Sequence, residues 1–249
     1  MKKIIYSTLL FTFLFGQTGL EIAKMIDEKK SPVDMFNKTE MILKNKKGKT
    51  RTNAMISKSI DGNKKQLIWF LEPKDDKGVA FLKIEHDTKD DEMRMWLPAF
   101  KKVRRISSKK KGDSFMGSDL SYEDLSSRNL DENEYLRLAD KTIDGKECFV
   151  IQITPNKSLK SSYSKHMSWI EKSTLNAVKE ESFDKRGKLK KKKEFSFMQM
   201  KEYYVMKRIF VEDVQKQHST EVIFSEIKVD SGINNKIFQE KNLKRLPRD

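Results

Sequence analysis

The chain has 249 residues, and 52 Lys and Arg against 37 Asp and Glu give it a net charge of +15 at neutral pH. A single cysteine, Cys148, excludes an intrachain disulfide, and its apolar neighbours indicate a small buried hydrophobic side chain. The basic charge would favour nucleic acid as the partner of a cytosolic protein, but it favours anionic headgroups and acidic polymers for an exported one. A solvated, lysine-rich surface without any partner explains the charge equally well.

The N-terminal segment has the order of a secretory signal peptide. Lys2 and Lys3 precede an apolar run over residues 4–15, and small and polar residues follow at 16–19. The run of about 12 residues is shorter than the roughly 20 that span a bilayer as a helix. No cysteine stands near the predicted cleavage site, so no lipid anchor is expected. We therefore predict a signal peptide over residues 1–19 and a single periplasmic domain over residues 20–249.

The predicted domain opens with a helix and continues as strands. Apolar residues recur at helical spacing over residues 20–30, where Ser31 and Pro32 end the pattern. Alternating segments then predict strands, and Asp61-Gly62 is a strong hairpin signal. In the first half the candidate strands lie at 35–44, 50–60, 66–71, 79–85, 93–97 and 103–106. An irregular middle at 114–129, with a candidate short helix at 122–127, precedes candidate strands at 135–141, 147–154, 163–171, 178–184, 189–200, 207–215 and 221–229.

These segments predict an α+β fold that is mainly β. About ten or eleven strands joined by short turns indicate an up-and-down antiparallel sheet. Because twist accumulates across so many strands, the sheet is expected to curl into a half-open, incomplete antiparallel β-barrel, with helices covering the open side. Its concave face is either filled by side chains or left as a cavity, and periodicity does not decide between the two.

The sequence carries no pattern that predicts catalysis. Its three histidines, His86, His166 and His218, form no metal motif, and no nucleophile elbow or phosphate-binding glycine loop is present. An acidic loop at residues 87–92 lacks the glycine and the final glutamate of a calcium-binding loop. We therefore expect no enzyme activity, no metal and no cofactor.

Apolar side chains at strand spacing are the feature that indicates binding. Three groups of apolar residues each share one face of a predicted strand. They lie at positions 67, 69 and 71, at 93, 95 and 97, and at 167 and 169. The chain has 12 Met, a flexible side chain that suits surfaces accepting variable apolar ligands. An ordinary packed core remains the alternative interpretation.

Two consecutive segments resemble a known family. The sequence MWLPAFKKVRRI at residues 95–106, continued by SFMGSDLSYEDL at 114–125, resembles the LolA-like outer-membrane lipoprotein-sorting proteins, in the branch found with resistance-nodulation-division (RND)-type exporters. Weaker matches occur at 144–148, at Thr154-Pro155, at 163–165 before Trp169 and at the end of the chain. The resemblance implies an incomplete barrel closed by helices, and periplasmic binding or transfer of lipids or lipidated proteins. The high lysine content departs from the family pattern, so the resemblance does not indicate which residues of this sequence contact a headgroup or a partner.

The resembling block also suggests how the middle segment is held. Arg104 and Arg105 alternate across a strand, so one is expected to face inward and pair with Asp119 or Asp124. Such a pair would fix the middle segment over the sheet, with Phe115 and Met116 at the mouth of a pocket; a purely structural plug is the alternative. The residues predicted to line the ligand cavity are Leu67, Trp69, Leu71, Met93, Met95, Leu97, Phe115, Met116, Ile151 and Trp169.

The preferred hypothesis is a periplasmic carrier or chaperone that buries lipid or the acyl chains of lipoproteins. An RND-type exporter or an outer-membrane acceptor would receive the cargo, an anionic membrane surface is a further candidate partner, and no nucleic acid is expected. The alternative is a non-enzymatic envelope protein that senses stress or binds a partner or a polyanion through its basic surface.

Overall fold

The computed structural model describes residues 16–247, so the predicted signal peptide lies almost entirely outside the described residues. Within that range one α-helix precedes thirteen strands. The helix is α1 (Gly19–Asp27), and the strands are β1 (Asp34–Lys44), β2 (Thr50–Ile60), β3 (Lys65–Glu72), β4 (Ala80–Ile84), β5 (Glu92–Leu97), β6 (Lys102–Ile106), β7 (Asn133–Ile143), β8 (Lys146–Pro155), β9 (Tyr163–Glu171), β10 (Ala177–Asp184), β11 (Leu189–Met200), β12 (Tyr203–Asp213) and β13 (His218–Val229).

All thirteen strands belong to one antiparallel sheet. Its order runs β6-β5-β4-β3-β2-β1-β13-β12-β11-β10-β9-β8-β7, so the two edge strands, β6 and β7, are consecutive in the chain but do not pair. The prediction of an incomplete antiparallel barrel is confirmed. The strand count of ten or eleven was too low, since the structure has thirteen strands and each of the thirteen candidate segments overlaps one of them.

Helix α1 packs against the end of the sheet formed by β7 and β8. Thr18 caps its first turn, since the Thr18 hydroxyl accepts the Glu21 N–H while the Glu21 carboxylate accepts the Thr18 N–H. Ile22 is fully buried among Ile151 and other apolar residues of β8 and β9. Gly19 is required by a close approach, because a Cβ there would lie 2.8 Å from the Tyr135 backbone. The helix ends at Asp27, before the predicted boundary at residue 30.

The segment that joins the two edge strands, residues 107–132, defines the inside of the curved sheet. We call it the crossing segment; it contains only short 3₁₀ turns and touches side chains of β4, β10, β11 and β13. A segment that reaches strands so far apart in the sheet order lies within the curve, so the face it covers is the concave face. Alternation along each strand then assigns every other residue to that face.

The convex face carries a second hydrophobic cluster under the end of the chain. Leu67 and Trp69 of β3 are buried there with Leu82 of β4. Phe238 and Leu243, from the segment that follows β13, cover them and are themselves 4% and 1% exposed. The C-terminal segment is therefore part of the core.

Replacing Leu243 with Ala tests this packing. Loss of a fully buried leucine is expected to lower the free energy of unfolding by about 2–5 kcal/mol, the usual cost of the transfer and cavity terms. Leu246→Ala is the matched control, because Leu246 is 40% exposed and its loss is expected to cost less than about 0.5 kcal/mol. Equal effects of both variants in denaturant titrations would contradict the assignment.

Candidate functional site

The crossing segment fills one half of the concave face with apolar side chains. Phe115 stands between Phe70, Phe81 and Tyr122, with ring centroids 6.0, 5.2 and 5.8 Å away. Met93 and Met95 belong to the same buried cluster. The concave face of β1 to β6 is therefore occupied by side chains of the protein itself.

Beyond this cluster, a buried ionic contact joins the crossing segment to β11. The Asp124 carboxylate lies 2.7 Å from Lys191 Nζ and 2.5 Å from Lys193 Nζ, and its side chain is only 2% exposed. The Tyr163 hydroxyl donates to the same carboxylate over 2.9 Å. Lys191 and Lys193 are two positions apart, so both point to the concave side, where they are 4% exposed.

The contact extends into a network on β9 and β10. Lys193 lies 3.1 Å from Glu180, and Arg128 of the crossing segment donates two hydrogen bonds of 2.6 and 2.8 Å to the Glu180 carboxylate. His166 Nδ1 lies 2.8 Å from the Ser182 hydroxyl beside them. The crossing segment is thus tied to the sheet through both a carboxylate and a guanidinium.

The network determines the ionisation of its members. Burial alone would raise the pKa of Asp124 and of Glu180. The pKa of Asp124 is instead held well below its usual range by the positive charges of Lys193 and Lys191. The pKa of Glu180 is held well below its usual range by Arg128 and Lys193. Burial, reinforced by Arg128, lowers the pKa of His166 to about 3, so that His166 is neutral at physiological pH.

Two further contacts fix the crossing segment on either side. Asp119 Oδ2 lies 2.6 Å from His218 Nδ1 and accepts the Thr220 hydroxyl over 2.7 Å, which ties the segment to β13. On β4, Lys83 Nζ donates to the Leu125 carbonyl oxygen over 2.7 Å and to Glu85 over 2.6 Å. Lys83 is 1% exposed, so this bond is also buried.

A strip of partly exposed apolar residues lies next to the network on the concave face. We call it the apolar lane. Phe195 follows Lys191 and Lys193 at the same strand parity, and the register places Phe195 opposite Ile209 and Ile209 opposite Val222 of the concave cluster. The residues of the lane are Phe195, Phe197, Met206, Ile209 and Phe224.

Comparison with known proteins identifies the family. A family model described as an uncharacterized protein matches residues 62–245. A solved structure from Vibrio parahaemolyticus, described as a putative outer membrane lipoprotein-sorting protein domain, is 33% identical with a TM-score of 0.86, covering 91% of this chain and 98% of that chain. The chain belongs to the LolA-like outer-membrane lipoprotein-sorting family.

Other solved structures share this architecture. A DUF1329 family protein from Desulfovibrio piger is 29% identical, with a TM-score of 0.85 over 90% of this chain and 97% of that chain. A LolA superfamily protein from Nitrosomonas europaea has the same fold, with 19% identity and a TM-score of 0.71 over 91% and 99% of the two chains. A search of curated proteins found no match.

The structure pairs the predicted carboxylates with cations other than the predicted arginines of β6. Arg104 and Arg105 do face opposite sides of β6, but both are exposed because β6 is an edge strand. In the part of the chain that the structure describes, neither pairs with Asp119 or Asp124, which contact His218 and the lysines of β11 instead. The arginines of β6 are therefore not the cations that contact the carboxylates of the crossing segment.

The residues predicted to line a cavity are divided between the two faces of the sheet. Those on the concave face are Met93, Met95, Leu97, Phe115, Met116 and Ile151, of which Ile151 lies under α1. Those on the convex face are Leu67, Trp69, Leu71 and Trp169. One cavity in this LolA-like fold therefore cannot include all ten.

Sequence reasoning missed the cationic side of the site. Residues 190–193 are four consecutive lysines, which indicated a solvated basic surface rather than alternate buried positions. The detectable signal was the period of two through Lys191, Lys193, Phe195 and Phe197, which continues an apolar strand face into the lysine run.

Between residues 16 and 247, no three His, Cys, Asp or Glu side chains are grouped so that they could hold a metal ion. In the same range, every helix is too short or too polar to cross a bilayer.

Replacing Asp124 with Ala should be strongly destabilising. It leaves Lys191 and Lys193 buried without this carboxylate, so the free energy of unfolding is expected to fall by about 3–5 kcal/mol. Asp131→Ala in the same segment is the control, since Asp131 is exposed and its removal is expected to change stability by less than about 0.5 kcal/mol. Chemical denaturation measures both, and a cost for Asp124→Ala as small as the control would show that the network does not fix the segment.

The buried neutral state of His166 predicts a pH dependence. Its pKa is lowered from 6.5 to about 3 in the folded protein, so between these values the unfolded state binds more protons than the folded state. Stability is therefore expected to fall as the pH is lowered from 6.5, with His166 contributing up to about 1.4 kcal/mol per pH unit. His166→Gln should flatten unfolding free energies measured between pH 6.5 and 4; curves parallel to wild type would exclude this role.

Proposed function

We propose that this protein is a periplasmic carrier that binds lipid or the acyl chains of lipoproteins, acting by binding rather than by catalysis. The observation that supports this most directly is the apolar lane on the concave face, where two phenylalanines of β11 remain partly exposed. The similar Vibrio structure, described as a putative lipoprotein-sorting domain, supports the same role.

Burial of an acyl chain supplies the binding energy in this proposal. Each methylene removed from water contributes about 0.8 kcal/mol, so a chain segment lying on Phe195, Phe197 and Ile209 gains several kcal/mol. The residues of the lane are partly exposed, which suits a ligand that binds from the surface and is later handed on.

A complete acyl chain requires more room than the lane provides. Phe115 and its neighbours fill the adjoining half of the concave face, so we propose that the crossing segment moves away when ligand binds. Met93, Met95, Leu97, Phe115 and Met116 would then line the enlarged cavity, together with Ile151 if α1 also shifts. Transfer to an exporter of the RND type or to an outer-membrane acceptor would reverse this movement.

Lipid extraction from the purified mature protein tests the proposal. Mass spectrometry is expected to detect co-purified lipid or, for delipidated protein, saturable binding of a fluorescent fatty acid. Phe195→Ser should weaken this binding by about tenfold, because the change removes apolar contact area from the lane.

Phe210→Ser provides the matched control. Phe210 is also partly exposed and lies on the neighbouring strand β12, but its register with Glu194 places it on the convex face. Equal binding by wild type and Phe195→Ser, or an equal loss in both variants, would contradict the proposed site.

The filled half of the concave face favours one alternative, an envelope interaction protein that uses its basic surface without an internal ligand. Such a protein would contain no extractable lipid and would bind anionic vesicles in a manner abolished by salt. Co-sedimentation with such vesicles at increasing ionic strength separates the two functions.

A further inference from the structure

The buried network on the concave face has an excess of positive charge. Lys191, Lys193 and Arg128 are three cations, whereas Asp124 and Glu180 are the two carboxylates that they contact. The adjacent His166 ring is neutral, so it adds no charge. The concave face thus keeps a net positive charge around Lys191 and Lys193, whose side chains are 5% exposed, while the Arg128 side chain is 35% exposed.

The two carboxylates of the network differ in where they belong. Glu180 is part of β10 and stays with the sheet, whereas Asp124 belongs to the crossing segment. Among the described residues, the Asp124 carboxylate is the only one within 4.0 Å of Lys191 Nζ. Movement of the crossing segment would therefore leave Lys191 on the concave face without a carboxylate partner.

The same strand carries the apolar lane directly beside these lysines. Lys191, Lys193, Phe195 and Phe197 follow one another on one face of β11, so consecutive members are about 7 Å apart. A ligand with its chain on the phenylalanines would place its polar end against the two ammonium groups. This juxtaposition selects an amphiphile with an anionic headgroup.

We propose that Lys191 and Lys193 form the headgroup site for an anionic amphiphile, and that Asp124 occupies this site in the closed protein. The carboxylate of the crossing segment takes the position that a phosphate or carboxylate headgroup takes when ligand is bound. This inference rests on the proposed carrier function and adds the class of ligand to it.

The test compares two amphiphiles of equal chain length. Hexadecyl phosphate carries the anionic headgroup, and monopalmitoylglycerol carries a neutral one; titration calorimetry below their micellar concentrations gives the ratio of their affinities. Wild type should prefer the phosphate. Lys191→Met should reduce this preference by about tenfold, a typical magnitude for such coupling, with little change for the neutral ligand.

Lys192→Met is the matched control, because Lys192 lies between the two lysines but is exposed on the convex side. It should leave the preference unchanged, and Lys191→Arg should retain it because the charge is kept. Asp124→Asn should raise the affinity for hexadecyl phosphate more than that for monopalmitoylglycerol. Thermal unfolding of each variant establishes that the compared proteins are folded.

Several outcomes would overturn the inference. An unchanged preference for hexadecyl phosphate over monopalmitoylglycerol in Lys191→Met would show that Lys191 and Lys193 do not bind the headgroup. An equal fall of this preference in Lys192→Met would show the same. Competition by inorganic phosphate alone, at concentrations equal to the amphiphile, would indicate a free-anion site instead. If both amphiphiles bind equally, the carrier function stands without this specificity, whereas binding of neither one contradicts the carrier function itself.

Discussion

The structure depends on one buried contact, that of the Asp124 carboxylate with two lysines of β11. Without it, the crossing segment would have to be held by apolar packing, by its bonds at Asp119 and Leu125, and by Arg128 with Glu180. Burying ions is costly, and a well-packed apolar replacement often stabilises a protein as much or more. An ionic contact differs from a packed apolar core in one respect. The lysines can exchange the Asp124 carboxylate for another anion, whereas packed apolar side chains offer no site for such an exchange.

The concave face is thereby divided into three regions with different chemistry. Aromatic and methionine side chains fill the part over β1 to β6, the apolar lane lies on β11 to β13, and the ions lie over β9 to β11. One sheet therefore carries both a packed apolar cluster and a strip of partly exposed apolar residues. The convex face has no such division, because the C-terminal segment covers its main cluster.

Much of the fold was predictable because strand alternation and turn residues are local signals. The bounds of β2, β9 and β11 were predicted to the residue, and the helix and the irregular middle segment were both recognised. The faces were not predictable, since Trp69 and Phe70 are adjacent, equally apolar and on opposite sides. Nor could the partners of Asp124 be found, because the contact spans 67 residues and depends on how strongly the sheet curls.

The open barrel leaves β6 and β7 as free edges, and such edges invite other chains to add a strand. The residues of β6 oppose this. Strand β6 has only five residues, and three of them, Lys102, Arg104 and Arg105, are exposed cations. On β7 the exposed positions include Glu134 and Lys141. Repulsion between like charges therefore disfavours pairing of β6 with the β6 of a second copy, whereas β7, with charges of both signs and exposed Leu136 and Leu138, lacks this protection.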